Sequence, residues 1–276
     1  HNQPSLLDCC KYPTLTVIRG DARNKELIAK HIPNADFIIP LAGIVSAPYC
    51  DRDPVAAETL NVGAVKTILE LRRPDQKIIF PNTNSGYGVG QGDIYCDETT
   101  PLRPISLYGR TKCEAERLIL EAGNGIVFRL ATVFGISPRM RVDLLVNDFV
   151  YRAVNDRFIV LFESHFKRNY VHVRDVARAF IFAMANFDRM KNEPYNLGLD
   201  EANLSKRELC EEIKKHIPEF YFVEAAIGED PDKRNYIVSN AKIKRTGFET
   251  SVSLHDGITE LVKGYQILKK NQFSNG

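Results

Sequence analysis

Short apolar runs of strand length recur along the chain and alternate with longer amphipathic stretches. The runs cover residues 15–19, 37–41, 77–81, 126–130 and 158–162, and the helix-length stretches cover 53–71, 107–121 and 143–154. Strands that are apolar on both faces and alternate with helices indicate a parallel sheet that is covered on both sides. The pattern therefore predicts an α/β fold with a doubly wound parallel sheet.

The pattern changes beyond about residue 190. Short apolar segments at 195–197 and 221–223 are separated by charged helical stretches at 204–216 and 254–270. This change indicates a smaller C-terminal lobe beside the doubly wound sheet.

The stretch 107–121 has two distinct sides. One side, which could be buried, carries Leu107, Thr111, Ala115, Leu118 and Ile119. The other side, which points outward, carries Arg110, Glu114 and Arg117. This spacing predicts a long helix that packs one side on the sheet.

Composition excludes several classes of protein. The 276 residues are 44% hydrophobic, and 37 basic against 35 acidic residues leave a net charge of +2, so the chain can bury a large core without presenting a general nucleic-acid surface. The six cysteines form no CxxC pair, which disfavours a zinc site or a disulfide framework and favours reduced thiols. No apolar run approaches the ~20 residues of a membrane span, and no signal-peptide pattern opens the chain. We expect a soluble, cytoplasmic protein with neither a membrane nor a nucleic-acid partner.

Glycine-rich turns are absent from the beginning of the chain. A doubly wound sheet that binds a dinucleotide normally opens with a strand, a glycine-rich turn and a helix, whose first amides contact the pyrophosphate. Nothing like GxGxxG occurs here, and residues 1–10 look like a segment that would follow the second strand. Either the molecule lacks this first strand, turn and helix, or it has them in residues outside this sequence.

Tyr108 and Lys112 form a YxxxK pair, which places both side chains on one face of a helix, one turn apart. The pKa of a tyrosine side chain in water is ~10, so tyrosine is a poor base at neutral pH unless a neighbouring ammonium stabilises its phenolate. With Lys112 supplying that charge, Tyr108 can take the proton of a substrate hydroxyl while the carbon loses a hydride to a nicotinamide. The spacing alone is weak evidence, because Tyr265 and Lys269 repeat it.

The segment upstream of Tyr108 distinguishes the two pairs. Residues 81–88 read Pro-Asn-Thr-Asn-Ser-Gly-Tyr-Gly and follow a predicted strand. Their small hydroxyl side chains therefore lie at the carboxyl end of a strand, where open α/β sheets bind ligands. No such segment precedes Tyr265, so Tyr108 and Lys112 are the candidate catalytic pair.

Together these residues resemble the extended short-chain dehydrogenase/reductase superfamily, the nucleotide-sugar epimerases and dehydratases, over nearly the whole chain. The other motifs that carry the resemblance are Gly20-Asp21, Leu41-Ala42-Gly43, Asn61-Val62, the segment 129–135 and the RDxxxVxD-like segment 168–175. The resemblance implies an NAD cofactor, with NADP not excluded. It implies a Rossmann-type dinucleotide-binding domain over 1–160 and a mainly substrate-binding lobe over 161–276, with 165–187 returning to the first domain.

The resemblance also implies which residues bind. The cofactor contacts fall on Asp21, Ala22, Leu41, Ala42, Gly43, Asn61, Tyr108, Lys112, Leu130 and Val133, and the substrate contacts fall on Asn84, Ser85, Thr132, Arg168 and Arg234. Arg168 and Arg234 match the family's arginines for the substrate diphosphate, whose oxygens suit the planar guanidinium fork. Arg139 and Arg141 either bind phosphate or cap their loop. The six histidines show no metal-ligand spacing, and we expect no metal.

Thr83 lies four residues before the tyrosine of the Tyr87-Gly88 pair, which is the position of the catalytic hydroxyl in the family's serine or threonine motif. The resemblance implies that Thr83 hydrogen-bonds the reacting oxygen and that Tyr108 is the acid or base. Lys112 then holds the nicotinamide ribose and tunes Tyr108.

The two residues after Thr83 narrow the reaction. The dehydratase branch carries Asp-Glu there, a carboxylate pair that eliminates water by acid/base catalysis, and the decarboxylating branch also places a glutamate at the second position. This chain has Asn84 and Ser85, and neither is an acid or base near neutral pH. What remains is an epimerase or an oxidoreductase that acts on a sugar-nucleotide hydroxyl, and the resemblance implies that this hydroxyl is at C4.

Alternatives to an epimerase stay open. Segments 81–88 and 128–141 also look like bacterial sugar-nucleotide 4-dehydrogenases of heptose modification, so a net 4-dehydrogenase of a GDP-heptose-like substrate is one alternative. A catalytically silent nucleotide-binding relative is another. Helices equivalent to 53–71 and 107–121 form a four-helix bundle between two subunits in the family, which implies a homodimer.

Overall fold

A computed structural model describes residues 4–225 and 233–268 of the chain. Its α-helices, in chain order, are α1 (Lys25–His31), α2 (Ala47–Arg52), α3 (Pro54–Glu58), α4 (Ala64–Leu71), α5 (Leu107–Ala122), α6 (Leu145–Asn155), α7 (Val173–Ala185), α8 (Phe187–Met190), α9 (Lys206–His216), α10 (Ala241–Arg245) and α11 (Leu254–Ile267). None of the helices in these two ranges is both long and apolar enough to cross a membrane.

Within the described ranges, the strands form one main sheet and three small ones. They are β1 (Phe37–Ile38), β2 (Lys77–Thr83), β3 (Tyr95–Cys96), β4 (Gly125–Leu130), β5 (Thr132–Phe134), β6 (Phe158–Leu161), β7 (Lys167–His172), β8 (Glu193–Leu197), β9 (Asn203–Ser205), β10 (Tyr221–Glu224) and β11 (Ile237–Val238). The main sheet has the order β1-β2-β4-β8 and is parallel throughout. The small sheets are β5-β7-β9, β6-β10 and β3-β11.

Alternate residues of the central strands enter two different cores. On β2, Ile78 and Phe80 pack with α4 and α5, while Ile79 packs on the opposite face with α7. On β4, Val127 likewise packs with α4 and α5, and Phe128 packs on the opposite face with α7. Successive side chains of a strand point to opposite faces, so helices cover both sides of the sheet. The predicted doubly wound α/β fold of Rossmann type is confirmed.

Residues 15–19 form no strand, and the prediction of a strand there is wrong. Leu15, Val17 and Ile18 are exposed, and the main sheet, as far as the chain is described, ends at the two-residue strand β1. A β-strand is held by the hydrogen bonds of a neighbour. Since no described strand lies beside 15–19, its apolar pattern produces extended chain without a ladder.

The predicted helix over 53–71 is interrupted. A π-helical turn, Thr59–Gly63, separates α3 from α4, and buried Asn61 lies inside it. The Asn61 amide donates to Ile44 O and Thr111 Oγ1 and accepts from Ile44 N. A π turn inside a helix is often found at functional sites, and here it ties the segment after β1 to α5.

The C-terminal part of the chain is divided between two layers. The segment 195–197, predicted in the smaller lobe, lies instead in β8 of the main sheet, because β8 extends the parallel ladder beyond β4. Residues 158–161 of the predicted run 158–162 form β6, which pairs with β10 outside the main sheet. A third core joins α6, α9 and α11. The Rossmann-type layer and a separate C-terminal cluster are thus interleaved along the sequence.

Candidate active site

Thr83 ends β2 at the carboxyl edge of the main sheet, opposite Leu130 of β4. Its hydroxyl accepts a hydrogen bond from Ser85 N (3.1 Å) and lies 2.9 Å from Ser85 Oγ. The turn that follows, Asn84–Tyr87, is a short 3₁₀ helix. The strand end therefore presents two linked hydroxyl groups at the edge where ligands bind in this type of sheet.

Tyr108 lies in the first turn of α5, whose start is fixed by Ser106. Ser106 Oγ accepts a hydrogen bond from Gly109 N (3.1 Å), which is a typical helix N-cap. A Cβ added to Gly109 would stand 2.8 Å from Pro104 Cβ and 3.4 Å from Ser85 O, so the glycine allows the helix to approach the strand end. This approach places the Thr83 side chain beside the Tyr108 hydroxyl, whose pKa it lowers.

Burial raises the pKa of Tyr108, because a phenolate is poorly solvated at this position. The hydrogen bond of Thr83 and the charges of Arg234 and Arg141 act in the opposite direction and lower the pKa. Lys112, which the sequence suggested as the group that tunes Tyr108, is not among these effects. The electrostatic support of Tyr108 comes instead from two arginines outside α5.

Lys112 lies one turn after Tyr108, and its side chain is buried. Its ammonium lies 3.9 Å from the centre of the Phe80 ring and has no hydrogen bond or ion pair with any described residue. Burial lowers the pKa of Lys112 to about 7, and the nearby Cys113 and Glu116 oppose the shift only in part. A buried ammonium needs acceptor oxygens, and a ribose diol supplies two.

The Lys112 ammonium has no hydrogen-bond acceptor among the described residues, and a bound dinucleotide would supply one. Leu41 and Ala42 add an exposed apolar shelf after β1, and Leu130 and Val133 lie half-buried at the neighbouring strand ends. The groups fit a nicotinamide ribose at Lys112 and an apolar ring beside it. No described residue provides a glycine-rich turn for the pyrophosphate.

The other residues that were predicted to bind the cofactor have local partners. Asp21 is exposed, and its carboxylate binds Arg23 at 2.6 Å; this hydrogen bond lowers the pKa of Asp21 to about 2. Ala22 is half-buried beside it. Gly43 lies against Asn61, since an added Cβ would be 3.0 Å from Asn61 Oδ1. Asn61 uses both its amide protons within the chain, so it holds the 41–44 segment in place.

The predicted substrate residues surround Thr83 only in part. Ser85 accepts a hydrogen bond from Arg234, and Thr132 begins β5 at the same edge. Arg168 is buried on β7, where its guanidinium lies 5.6 Å from the Tyr236 ring centre and donates to Lys167 O. Arg168 therefore approaches the 234–236 segment, while Arg234 reaches Thr83 through Ser85.

Asn84 is buried, and neither its Oδ1 nor its Nδ2 has a hydrogen-bond partner. Buried amides are almost always paired in folded proteins. An amide with one free acceptor and two free donors beside Thr83 is suited to a ligand rich in hydroxyl groups.

A buried polar network under the site was not found from the sequence. Glu116 of α5 forms an ion pair with Arg129 of β4 at 2.6 Å, and both are buried. Asn82 donates to Glu116, and Arg129 donates to the Tyr87 hydroxyl. The network joins α5 to β2 and β4 directly below Lys112. The sequence feature that could have revealed this network is a glutamate on the buried side of the helix together with an arginine inside a buried strand.

The chain matches the model of the NAD dependent epimerase/dehydratase family over residues 3–198, and it belongs to this family. The predicted family of NAD-dependent enzymes, the nucleotide-sugar epimerases and dehydratases, is thereby confirmed. Within the described residues, no three His, Cys, Asp or Glu side chains cluster as metal ligands would.

Individual relatives are distant. The chain is similar to the low-salt glycan biosynthesis protein Agl12 of Haloferax volcanii, with 26% identity over 96% of this chain and 86% of that protein. Among solved structures, it resembles UDP-glucose 4-epimerase of Thermotoga maritima (TM-score 0.80, 23% identity, 91% of this chain and 84% of that one). It equally resembles DesIV, a dTDP-glucose 4,6-dehydratase of Streptomyces venezuelae (TM-score 0.81, 22% identity, 96% and 84%). The fold is thus common to epimerases and dehydratases and does not choose between them.

Proposed function

We propose that the protein is a nucleotide-sugar epimerase that oxidises the C4 hydroxyl of the sugar and reduces the resulting ketone from the other face. The single observation that carries the proposal is the meeting of Thr83, Tyr108 and Lys112 at the carboxyl edge of β2, with the Lys112 ammonium buried and without an acceptor. The NAD nicotinamide, when bound, accepts and returns the hydride.

The three side chains have separate roles in this proposal. Tyr108 removes the proton of the reacting hydroxyl, and Thr83 hydrogen-bonds the same oxygen and orients it. Lys112 holds the nicotinamide ribose through its ammonium, which the acceptor oxygens keep charged. A charged Lys112 one turn from Tyr108 then favours the phenolate.

Asn84 and Ser85 support epimerisation over 4,6-dehydration. Elimination of water requires a base that removes a proton from a neighbouring sugar carbon and an acid that protonates the leaving hydroxyl group. The Asn84 amide and the Ser85 hydroxyl act as neither acid nor base near neutral pH. Asn84, with its free amide atoms, is proposed to bind sugar hydroxyls, and Arg168 and Arg234 are proposed to bind the diphosphate.

Product analysis with NAD and a panel of UDP-, CDP-, GDP- and dTDP-sugars tests this function. An epimerised sugar without accumulation of NADH is the expected result. Accumulation of NADH and a 4-keto sugar would replace the epimerase by a net 4-dehydrogenase, and a 4-keto-6-deoxy product would replace it by a dehydratase. If nucleotide binds but no sugar is changed, the protein is a silent relative.

We also propose a homodimer formed through α5. The charged residues on its outer side alternate in sign along one stripe: Arg110, Glu114, Arg117 and Glu121. If two copies of α5 pack antiparallel, Arg110 faces Glu121 of the partner subunit and Glu114 faces Arg117 of the partner subunit. A two-fold interface must be self-complementary, and this order of charges meets that requirement.

We also propose a location in the cell and a division of the chain into domains. The free cysteines suit a reducing compartment, so a cytoplasmic location is proposed. Residues 1–160 are proposed to bind the dinucleotide. Residues 161–276 are proposed mainly to bind substrate, with 165–187 and β8 belonging to the dinucleotide layer.

A further inference from the structure

Lys112 and Glu116 lie one turn apart on the buried side of α5, but no ion pair of the described residues joins them. Opposite charges at this spacing are neighbours on a helix, and buried charges attract each other more strongly than exposed ones. The Glu116 carboxylate is bound instead by Arg129 of β4 and Asn82 of β2. We call Glu116, Arg129 and Asn82 the Glu116 cluster.

The Glu116 cluster occupies both oxygens of the carboxylate. Glu116 Oε1 accepts hydrogen bonds from Arg129 Nη2 (2.6 Å) and Nε (3.1 Å). Glu116 Oε2 accepts from Arg129 Nε (3.3 Å) and from Asn82 Nδ2. A carboxylate has about four lone-pair sites, so these four contacts leave no site for the Lys112 ammonium.

The two donors of the Glu116 cluster are themselves held in place. Arg129 Nη1 donates to the Tyr87 hydroxyl (3.0 Å), and Asn82 Oδ1 accepts from Thr83 N (2.8 Å). Because each donor has a second bond that points away from Glu116, neither can turn aside without losing a buried hydrogen bond.

We propose that Arg129 and Asn82 are positioning residues that hold the Glu116 carboxylate away from Lys112 and so keep its ammonium available to the ribose of the bound dinucleotide. Without these donors, Glu116 is an acceptor one turn away that competes with the ribose oxygens. The inference rests on the proposed function for the cofactor role of Lys112. The competition between Arg129 and Lys112 for Glu116 does not depend on that role.

The surroundings of Lys112 leave Glu116 as its competing partner. Cys113 and Glu116 are the titratable groups that raise the pKa of Lys112. Burial raises the pKa of the Cys113 thiol to about 12, so Cys113 is uncharged near neutral pH. On the side of β2, the ammonium lies over the uncharged ring of Phe80. An ammonium released from its cofactor contact would therefore turn to Glu116 if the carboxylate were open.

The first test needs no cofactor and measures the effect of Lys112→Met on urea unfolding, at a pH below the Lys112 pKa of about 7. In the unaltered protein, Lys112→Met removes a buried ammonium that lacks acceptors and is expected to stabilise the fold. In Arg129→Met, Lys112 is expected to pair with Glu116. Lys112→Met should then destabilise the fold, because it leaves the carboxylate buried and alone. Equal stabilisation in both backgrounds would overturn the proposal.

The second test measures NAD affinity by titration calorimetry. Arg129→Met is expected to weaken NAD binding about tenfold or more, because Glu116 then competes for Lys112. Adding Glu116→Gln removes the competing charge with little change of shape and should restore most of the affinity. If Glu116→Gln restores nothing, Arg129 acts only through packing and the proposal is overturned. If the unfolding effect changes sign but NAD affinity stays constant, the cofactor role of Lys112 fails and the competition for Glu116 stands.

Two further variants keep both tests decisive. Arg129→Lys retains the charge, but one ammonium cannot span both carboxylate oxygens as the guanidinium does. It is expected to change both readouts in the same direction and replaces Arg129→Met if that variant does not fold. Arg178→Met is the matched control, because Arg178 pairs with another buried carboxylate, Asp175 of α7, at 2.6 Å. Arg178→Met should leave NAD affinity unchanged, and a loss equal to that of Arg129→Met would overturn the proposal.

Discussion

The Lys112 ammonium lies 3.9 Å from the centre of the Phe80 ring and makes no hydrogen bond or ion pair within the described residues. Burial lowers its pKa from 10.5 to about 7. An ammonium whose pKa is depressed on folding destabilises the folded protein fully below the folded pKa. That penalty disappears as the pH rises from about 7 toward the unfolded value.

Lys112→Met is therefore expected to stabilise the protein most at low pH. Between pH ~7 and ~10.5, its advantage over the unaltered protein should fall by about 1.4 kcal/mol per pH unit, the value for one proton. Urea unfolding of both proteins from pH ~6 to ~9.5 measures the difference. A stabilisation that is independent of pH would show that Lys112 is not a strained, buried ammonium.

Asn84→Ala should separate binding from stability. Because both amide atoms of Asn84 are buried without partners, removing them is expected to change the free energy of unfolding by less than about 1 kcal/mol or to stabilise the protein. Affinity for the nucleotide sugar should fall, since the free amide is proposed to bind sugar hydroxyls. Titration calorimetry and urea unfolding of the same variant measure the two effects.

Asn82→Ala is the matched control for Asn84→Ala. The Asn82 amide is paired with Glu116 and with Thr83 N, so its loss leaves buried partners unsatisfied and should cost about 1–3 kcal/mol. If Asn84→Ala destabilises the protein as much as Asn82→Ala does, the Asn84 amide has a structural role and the proposed sugar contact loses its support.

The charge pattern of α5 predicts a specific rescue of the dimer. Arg117→Glu alone places like charges opposite each other in the antiparallel pairing and is expected to weaken the dimer at low salt. Glu114→Arg combined with Arg117→Glu restores opposite signs across the two-fold axis and should restore the dimer. Sedimentation at two salt concentrations measures both, and equal behaviour of the single and double variants would place the interface elsewhere.

The periodicity of the sequence was sufficient for the central elements but not for the edge of the sheet. The helix over 107–121 and the strand over 77–81 were predicted correctly from the sequence. The helix buries one regular face on the sheet, and the strand lies between two neighbouring strands with both its faces buried. Residues 15–19 have the same apolar pattern and form no strand, because a strand also depends on a partner that local sequence does not reveal.

The candidate site divides in a similar way. Thr83, Tyr108 and Lys112 were recognisable from spacing and family resemblance, since one helix turn and one strand end bring them together. The contact between Arg234 and Ser85 joins residues 149 positions apart, and no local pattern encodes it. The ion pair of Glu116 and Arg129 likewise could not be predicted from the sequence, because it depends on how the helix packs on the strand.

In the proposed reaction, a hydride leaves the sugar carbon while Tyr108 takes the hydroxyl proton. The most direct test uses the nucleotide sugar that the panel identifies, deuterated at C4, with the protein and with Tyr108→Phe. We expect an epimer that keeps its deuterium at C4, and a rate that falls about 10²-fold or more in Tyr108→Phe with NAD binding unchanged. Replacement of the deuterium by solvent hydrogen, or full activity of Tyr108→Phe, would contradict the proposed reaction.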